Sequence, residues 1–329
     1  MSIWKRSIFA ALVLLNAGAA TLVQAQDAAT DYPSKVVTIV VGFPPGTAAD
    51  SVGRILGERL ATRLGKNFII DNKPGQGGSI GAAAVAKAAP DGYTLLLSSN
   101  GPLAVNPHVY PKLPYDTARD FVAVGLHSWL SYALVVNSNA TIKTFADLTA
   151  RAKAESGKLT YATIGNGTTS HLLVAMLMQR TGMKLTHIPY KGSGQAQGDL
   201  MGGQVDMTFD TLVSVLPHVK AGKLRALAVS TETRSKMAPD IPTLNELGVT
   251  GFNAGAWLGM LAPTGTPKPI VNKLNRELNA VLDEPETQKR LLALGAEILK
   301  GTPEEFAAYL KSEHDRWGKL VHETGAKIE

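Results

Sequence analysis

The chain has 329 residues, 45% hydrophobic and 18% charged, enough apolar material for a sizeable core and no composition of a disordered chain. Its net charge of +6 is scattered, with no basic run and no interleaved aromatics, which excludes nucleic acid as the partner that charge implies. There is no cysteine, which excludes disulfides, a thiol nucleophile, thiolate metal sites and a lipid anchored on an N-terminal cysteine.

Residues 1–25 read as a secretory signal peptide: Lys5 and Arg6, then an uncharged apolar run, then Val23-Gln24-Ala25 with small residues at alternate positions. The run is too short to cross a bilayer, which takes about 20 residues, and no later segment reaches that length. Cleavage after Ala25 would leave 304 residues (329 − 25) and a charge of +4 (+6 less Lys5 and Arg6). The expected product is exported, in the periplasm, at about two domains' length for roughly 150 residues each.

Residues 36–41, Val-Val-Thr-Ile-Val-Val, form a β-branched run too uniformly apolar for a half-exposed strand, so a buried parallel strand is expected. Phe43-Pro44-Pro45-Gly46 ends it, and Val52, Ile55, Leu56, Leu60 and Leu64 mark one face of a helix. A strand at 68–70, a glycine-rich loop, an alanine-rich helix over about 80–88 and a buried strand at 93–97 continue an α/β layer with right-handed crossovers. A second unit runs from a strand at 131–136 through a helix capped by Thr144, a strand at 159–162 and a helix carrying Leu172, Leu173, Met176 and Leu177. It continues with strands at 185–188, 205–209 and 224–229 and helices near 195–201 and 212–220. A strand at 256–261 follows. Thr266-Pro267 reads as a cap with proline at the first helical position, and Thr302 and Glu305 have the spacing of a capping box before a last helix with Phe306, Leu310 and Trp317 inward.

Several enzyme patterns nearly match. Gly77-Gly78-Ser79-Ile80-Gly81 fits G-x-S-x-G, but a proline–glycine loop separates it from the preceding strand, so Ser79 reads as a helix cap with an exported serine hydrolase as a rival. Three glycine pairs begin a dinucleotide fingerprint and each lacks its third glycine. No two histidines lie four apart, so no metal site and no cofactor are expected. What remains is two loops placed after strands and before helices, where open α/β sheets bind ligands. One contains Phe43, Pro45, Gly46, Thr47, Ala48 and Asp50, the other Gly165, Asn166, Gly167, Thr168, Thr169 and Ser170. Each would present free N–H groups at the positive end of a helix without a local arginine, an arrangement suited to a carboxylate. The alternative is that Thr47, Thr168 or Thr169 only caps its helix.

At these loops the sequence resembles the Bug family of periplasmic solute-binding proteins, the TctC-like receptors of tripartite tricarboxylate transporters. Gly42-Phe43-Pro44-Pro45-Gly46, Asp71-Asn72-Lys73-Pro74-Gly75, Ala89-Pro90-Asp91-Gly92-Tyr93, Gly165-Asn166-Gly167-Thr168, Pro189-Tyr190-Lys191-Gly192 and Ala262-Pro263-Thr264-Gly265-Thr266-Pro267 carry the resemblance. It implies a two-lobed type II periplasmic binding fold, each lobe a mostly parallel sheet flanked by helices, with no catalysis. The first lobe would be 32–129 with 256–329 and the second 130–255, with hinges near 130–132 and 253–256. The two loops would line the cleft, joined by Ser98, Ser99, Asn100, Tyr190, Lys191 and Asp210. Tyr190 and Lys191 could instead be rim or hinge groups, and Asp210 a helix cap. Thr47 departs from the family's usual glycine. The implied partners are a small carboxylate and, transiently, integral membrane transporter subunits, the receptor itself being a monomer; a sensor docking on a membrane kinase is the rival role.

Overall fold

The computed structural model describes residues 31–324; the expected signal peptide and residues 325–329 lie outside them. The β-branched run becomes β1 (Val37–Val41), with Val37, Ile39 and Val41 wholly buried. It pairs in parallel on one side with β2 (Phe68–Asn72) and on the other with β3 (Thr94–Ser99). Both faces are covered, which is why the run is apolar without alternation. Helix α1 (Ala48–Leu64) buries Val52, Ile55, Leu56 and Leu60, and α2 (Ser79–Ala86) leads into β3.

A π-helical turn (Gly101–Val105), α3 (Asn106–Val109) and α4 (Thr117–Asp120) bring the chain to β4 (Phe121–Leu130), a strand absent from the sequence expectation. Its Gly125, His127 and Ser128 break the apolar pattern yet are buried against neighbouring elements. Only Ser131 separates β4 from β5 (Tyr132–Asn137), the first strand of a second sheet. That sheet adds β6 (Thr160–Thr163), β7 (Thr186–Pro189), β8 (Met207–Thr211) and β9 (Leu224–Val229), in the order β7-β6-β8-β5-β9. Its helices are α5 (Phe145–Ala154), α6 (Thr169–Thr181), α7 (Ser193–Met201) and α8 (Leu212–Lys220).

The chain returns in β10 (Ala256–Pro263), buried along its whole length and inserted antiparallel between β3 and β4. Helices α9 (Lys268–Asp283) and α10 (Pro285–Ala293), edge strand β11 (Ala296–Ile298) and helix α11 (Pro303–Thr324) complete a six-stranded sheet, β11-β4-β10-β3-β1-β2.

The α/β fold on two sheets is as expected, but the sheets are mixed rather than mostly parallel. Strands β4, β5 and β10 carry the chain between sheets, so no crossover helix dictates their direction, and each pairs antiparallel with both of its neighbours. Two caps sort differently. Thr302 and Glu305 exchange backbone-to-side-chain bonds of 2.8 and 3.1 Å, as their spacing predicts. Thr266 does not cap: Pro267 holds that position, and the Thr266 hydroxyl donates to the Pro263 carbonyl. The last helix is fastened by Glu313, whose Oε2 accepts from the indole N–H of both Trp257 and Trp317 at 2.9 Å.

Candidate functional site

The loop between β1 and α1 is held from below. Gly46 adopts φ 81°, a conformation that suits glycine, and its amide donates to Asp50 Oδ2 at 2.9 Å. The same carboxylate accepts from Asn72 Nδ2 at 3.0 Å and from the Arg54 guanidinium, and Asn72 also donates to the Phe43 carbonyl. Burial works to raise the Asp50 pKa, but the donors from Arg54, Gly46 and Asn72 outweigh it and hold the carboxyl below its usual value. Thr47 is the helix cap, donating to Pro44 O at 2.9 Å and accepting the Asp50 amide at 3.4 Å. Its hydroxyl leaves the amides of Ala48 and Ala49, in the first turn, without an intrahelical partner.

The second loop is built differently. Thr168 occupies the cap position of α6 but makes no capping bond; its hydroxyl donates back to the Gly165 carbonyl at 2.7 Å. The first-turn amides of α6 are therefore uncapped by a side chain. Thr169 Oγ1 donates to Asn100 Oδ1 at 2.9 Å, and Ser170 Oγ to the Phe209 carbonyl. Gly167 has φ 72°, and a Cβ there would stand 2.3 Å from Asn106 Oδ1, so the loop meets the first unit in direct contact.

Between the sheets lies a cavity of about 40 Å³. Of the expected residues, Phe43, Thr47, Ala48, Ser99 and Asp210 line it, together with Ala49, Ile164, Ser193 and Thr211. Leu130, Tyr132, Ala256 and Leu258 form its wall where β4, β5 and β10 cross between units. Pro45 and Gly46 are exposed. Asp50, Ser98 and Asn100 are buried without lining the cavity, and the loop from Gly165 through Asn166, Gly167, Thr168 and Thr169 to Ser170 adjoins it only through Ile164. Tyr190 donates to Asp199 at 2.6 Å and Lys191 is exposed; neither lines the cavity. Ser193, which sequence reasoning missed, follows Gly192 at the start of α7, another strand–loop–helix junction that could have found it.

Asp210 does not cap α8, whose cap is Thr211. It is fully buried and accepts from Ser193 Oγ at 3.0 Å, Gln197 Nε2 at 2.7 Å and the Thr211 amide at 2.7 Å; burial raises its pKa. No lysine, arginine or histidine lines the cavity. Ser79 is fully buried, accepts from Asn106 Nδ2 at 2.7 Å and lies 3.0 Å from the Tyr115 hydroxyl. It has no histidine partner and no access to an ester, and Gly78 rather than Ser79 is the helix cap. Among the described residues no three acidic or histidine side chains are grouped to hold a metal, and no helix is long and apolar enough to cross a membrane.

The model of the "Tripartite tricarboxylate transporter family receptor" matches residues 52–326, and the chain belongs to that family. It is 39% identical over 98% of its length to the UPF0065 protein in the tcbD-tcbE intergenic region of Pseudomonas sp. strain P51, covering 95% of that protein. It is 38% identical to protein BugT of Bordetella pertussis, over 92% of this chain and 93% of that one. Among solved structures, the periplasmic binding protein BugD superposes with a TM-score of 0.84 at 36% identity, over 91% of this chain and 100% of BugD. MatC of Rhodopseudomonas palustris with bound malate gives 0.83 at 33% identity, over 88% and 100% of the two chains. R. palustris Rpa4515 with adipate gives 0.86 at 35% identity, over 90% and 99%.

Proposed function

We propose that this member of the tripartite tricarboxylate transporter receptor family captures a small carboxylate in the cleft between its two sheets and delivers it, in the periplasm, to membrane transporter subunits. The first lobe is 32–129 with 256–329 and the second 130–255. The observation that carries the reading is the junction at Ala48 and Ala49. Two first-turn amides without intrahelical partners border a cavity that has no cationic side chain, so an anion there would be held by N–H dipoles. The malate- and adipate-bound relatives favour the same ligand class.

The cavity is far too small for a dicarboxylate, so the lobes part to admit one, hinging near Leu130–Tyr132 and Asn253–Ala256. Closure removes water, which strengthens the attraction between the amide dipoles and a carboxylate. Asp210 does not defeat this: three donors compensate its charge, and it offers an acceptor to a hydroxyl or ammonium on the ligand. The test is a thermal-shift screen of the purified chain against a carboxylate library including malate and adipate. A ligand at a hundredfold its Kd stabilises the fold by about 2.7 kcal/mol. A flat response to every carboxylate, with binding of a non-acidic solute instead, overturns the reading.

A further inference from the structure

The two sides of the cleft differ in chemical character. On the first lobe's side stand the first-turn amides of Ala48 and Ala49 and the hydroxyl of Ser99, at the end of β3. On the second lobe's side stand Ser193, the first residue of α7, and Thr211, the cap of α8. Ser99 and Thr211 are 4% and 7% exposed, both line the cavity, and neither hydroxyl is hydrogen-bonded to another described residue. They differ in this from Ser98 and Ser131, whose unpaired hydroxyls are sealed inside the protein. Buried polar groups of native proteins find partners, so what enters the cavity supplies theirs.

The second side already contains an anion. Asp210 stands where α7 and α8 begin. Its Oδ1 accepts the Ser193 hydroxyl and the Thr211 amide, and its Oδ2 accepts Gln197 Nε2 from the next turn of α7. All three donors are neutral and no cationic side chain lines the cavity, so the charge has no counter-ion there. A second carboxylate on this side would meet a like charge in a medium of low dielectric. A carboxylate also only accepts, so the Ser193 proton is committed to Asp210 and the Ser193 oxygen has only lone pairs to offer a ligand. Asp210 itself is fully buried and acts on the cavity through Ser193 and through its charge. The first side has the opposite character. Its N–H dipoles await an anion, and its nearby acid, Asp50, is paired with Arg54.

We infer that Asp210 is a positioning residue that sets the specificity of the cleft: the ligand is a small carboxylate whose far end carries a hydroxyl or an ammonium, and a second carboxylate there is rejected. The carboxylate meets the amides of Ala48 and Ala49, and the donor at the other end meets Ser193 Oγ, with Thr211 Oγ1 beside it. The inference rests on the carboxylate reading proposed above and adds the chemistry of the ligand's other end.

The probes are butyrate, 4-hydroxybutyrate, 4-aminobutyrate and succinate, which differ only at the end opposite one carboxylate, each titrated calorimetrically into the full purified chain. The wild type should hold 4-hydroxybutyrate and 4-aminobutyrate about tenfold tighter than succinate, or more. Asp210→Asn keeps the shape and removes the charge. It should weaken 4-aminobutyrate about tenfold, strengthen succinate about tenfold and so narrow or reverse their order. A purely structural loss would weaken all four probes alike, so a changed order reports the charge. Ser193→Ala, at a half-buried position that a helix accepts, should weaken 4-hydroxybutyrate about fivefold and leave butyrate unchanged. The wild-type order and Ser193→Ala decide the point even if Asp210→Asn fails to fold.

Ala48→Pro tests the underlying carboxylate reading separately. Thr47 already has φ −73° and ψ 161°, which a following proline tolerates, and proline at the first helical position removes one N–H without breaking the helix. All four probes should weaken. Weakening in Ala48→Pro combined with succinate bound as tightly as the donor-bearing probes, or with an unchanged probe order in Asp210→Asn, overturns the inference and leaves the carboxylate reading standing. No measurable binding of either donor-bearing probe also overturns the inference. Affinities untouched by Ala48→Pro overturn the carboxylate reading and the inference with it.

Discussion

Thr169 and Asn100 are joined by a buried hydrogen bond of 2.9 Å that crosses from the start of α6 to the end of β3. Asn100 faces both ways: its Oδ1 accepts from Thr169 while its Nδ2 donates to the carbonyl of Gly255, at 3.1 Å, where the chain returns to the first sheet. One amide thus touches both sheets' units and the return connection. On the hinge motion proposed above this bond would break as the lobes part, so it would favour the closed arrangement over an open one.

Thr169→Val keeps the branched shape and leaves Asn100 Oδ1 buried without its donor. The cost of such a group is about 1–3 kcal/mol, and it falls only on the closed form. The affinity for whichever carboxylate binds should drop about tenfold, largely as faster dissociation, with little change in the melting temperature of the unliganded protein. Stopped-flow dissociation beside calorimetric titration measures this; equal affinity in both proteins would show that the bond does not govern closure.

Gly167→Ala should be more severe. The new Cβ is strained by φ 72° and collides with Asn106 Oδ1, itself held in place by bonds from its amide nitrogen to Gln76 O and Ser79 Oγ. Closure should be blocked and ligand binding lost, seen as a larger radius of gyration in solution scattering with excess ligand. Adding Asn106→Ala removes the collision but not the backbone strain, so the double variant should recover part of the binding. A double variant no better than Gly167→Ala alone would assign the whole effect to the backbone.

How much of this was legible beforehand depends on where the signal sits. The β1–α1 junction was readable because a β-branched run, a Pro-Pro-Gly stop and a helical stripe lie consecutively, and Phe43, Thr47 and Ala48 do line the cavity. Strand β4 was not readable: Gly125 makes room for Asn275 and Leu278, and Ser128 faces β10, contacts set by partners about 130 to 150 residues away. With β4 unseen, its end at Leu130 could not be recognised as cavity wall, nor Ala256 and Leu258 on the strand beside it. The inward orientation of Asp50 was hidden for the same reason. An acidic residue at a helix start looks like a ligand-facing group, and only Asn72, on another strand, shows it turned inward as the loop's anchor.

Asp50→Asn tests that anchor. An amide can accept at one atom only, so at least one of the bonds from Gly46, Asn72 and Arg54 is lost or replaced by a clash of donors. The expected destabilisation is about 1.5–3 kcal/mol, the range for bonds to a charged group, and about 2–4 °C for each kcal/mol in a chain of this size or somewhat smaller. Since the folded pKa is depressed, the wild-type contribution is full above the unfolded carboxylate value and fades as pH falls below it. The difference between the two melting temperatures should therefore narrow on acidification towards pH 3. A constant gap across that range would place the effect in shape rather than charge.

A histidine pair beside the Gly165–Gly167 loop gives the protein a second acid sensitivity. The rings of His171 and His187 stack with centroids 4.4 Å apart at 9°, and Tyr161 continues the stack beyond His187 at 4.9 Å. His187 Nε2 lies 2.7 Å from Thr163 Oγ1, and His171 Nδ1 accepts the Gly167 amide at 3.4 Å, which requires that nitrogen to be unprotonated. Burial, then the neighbouring ring, push His187 down to about 4, and burial lowers His171. Both folded values lie below the unfolded one near 6.5, so the unfolded chain takes up protons first as pH falls. Stability from the pair is complete above about pH 6.5 and is lost progressively down to about pH 4. At half-buried rings solvent screening reduces the effect to on the order of 1 kcal/mol. His127, fully buried and pushed down to about 3, adds a slope of the same sign, so wild type alone cannot isolate the pair. His187→Gln and His171→Gln, melted from pH 7 to pH 4, should each lose less stability over that interval than wild type, by about 2–4 °C. Ligand affinity should also fall more steeply with acid in wild type than in His171→Gln, because only the former has a proton-sensitive acceptor for the Gly167 amide. Parallel melting curves in all three proteins would remove the pair as the source of acid sensitivity.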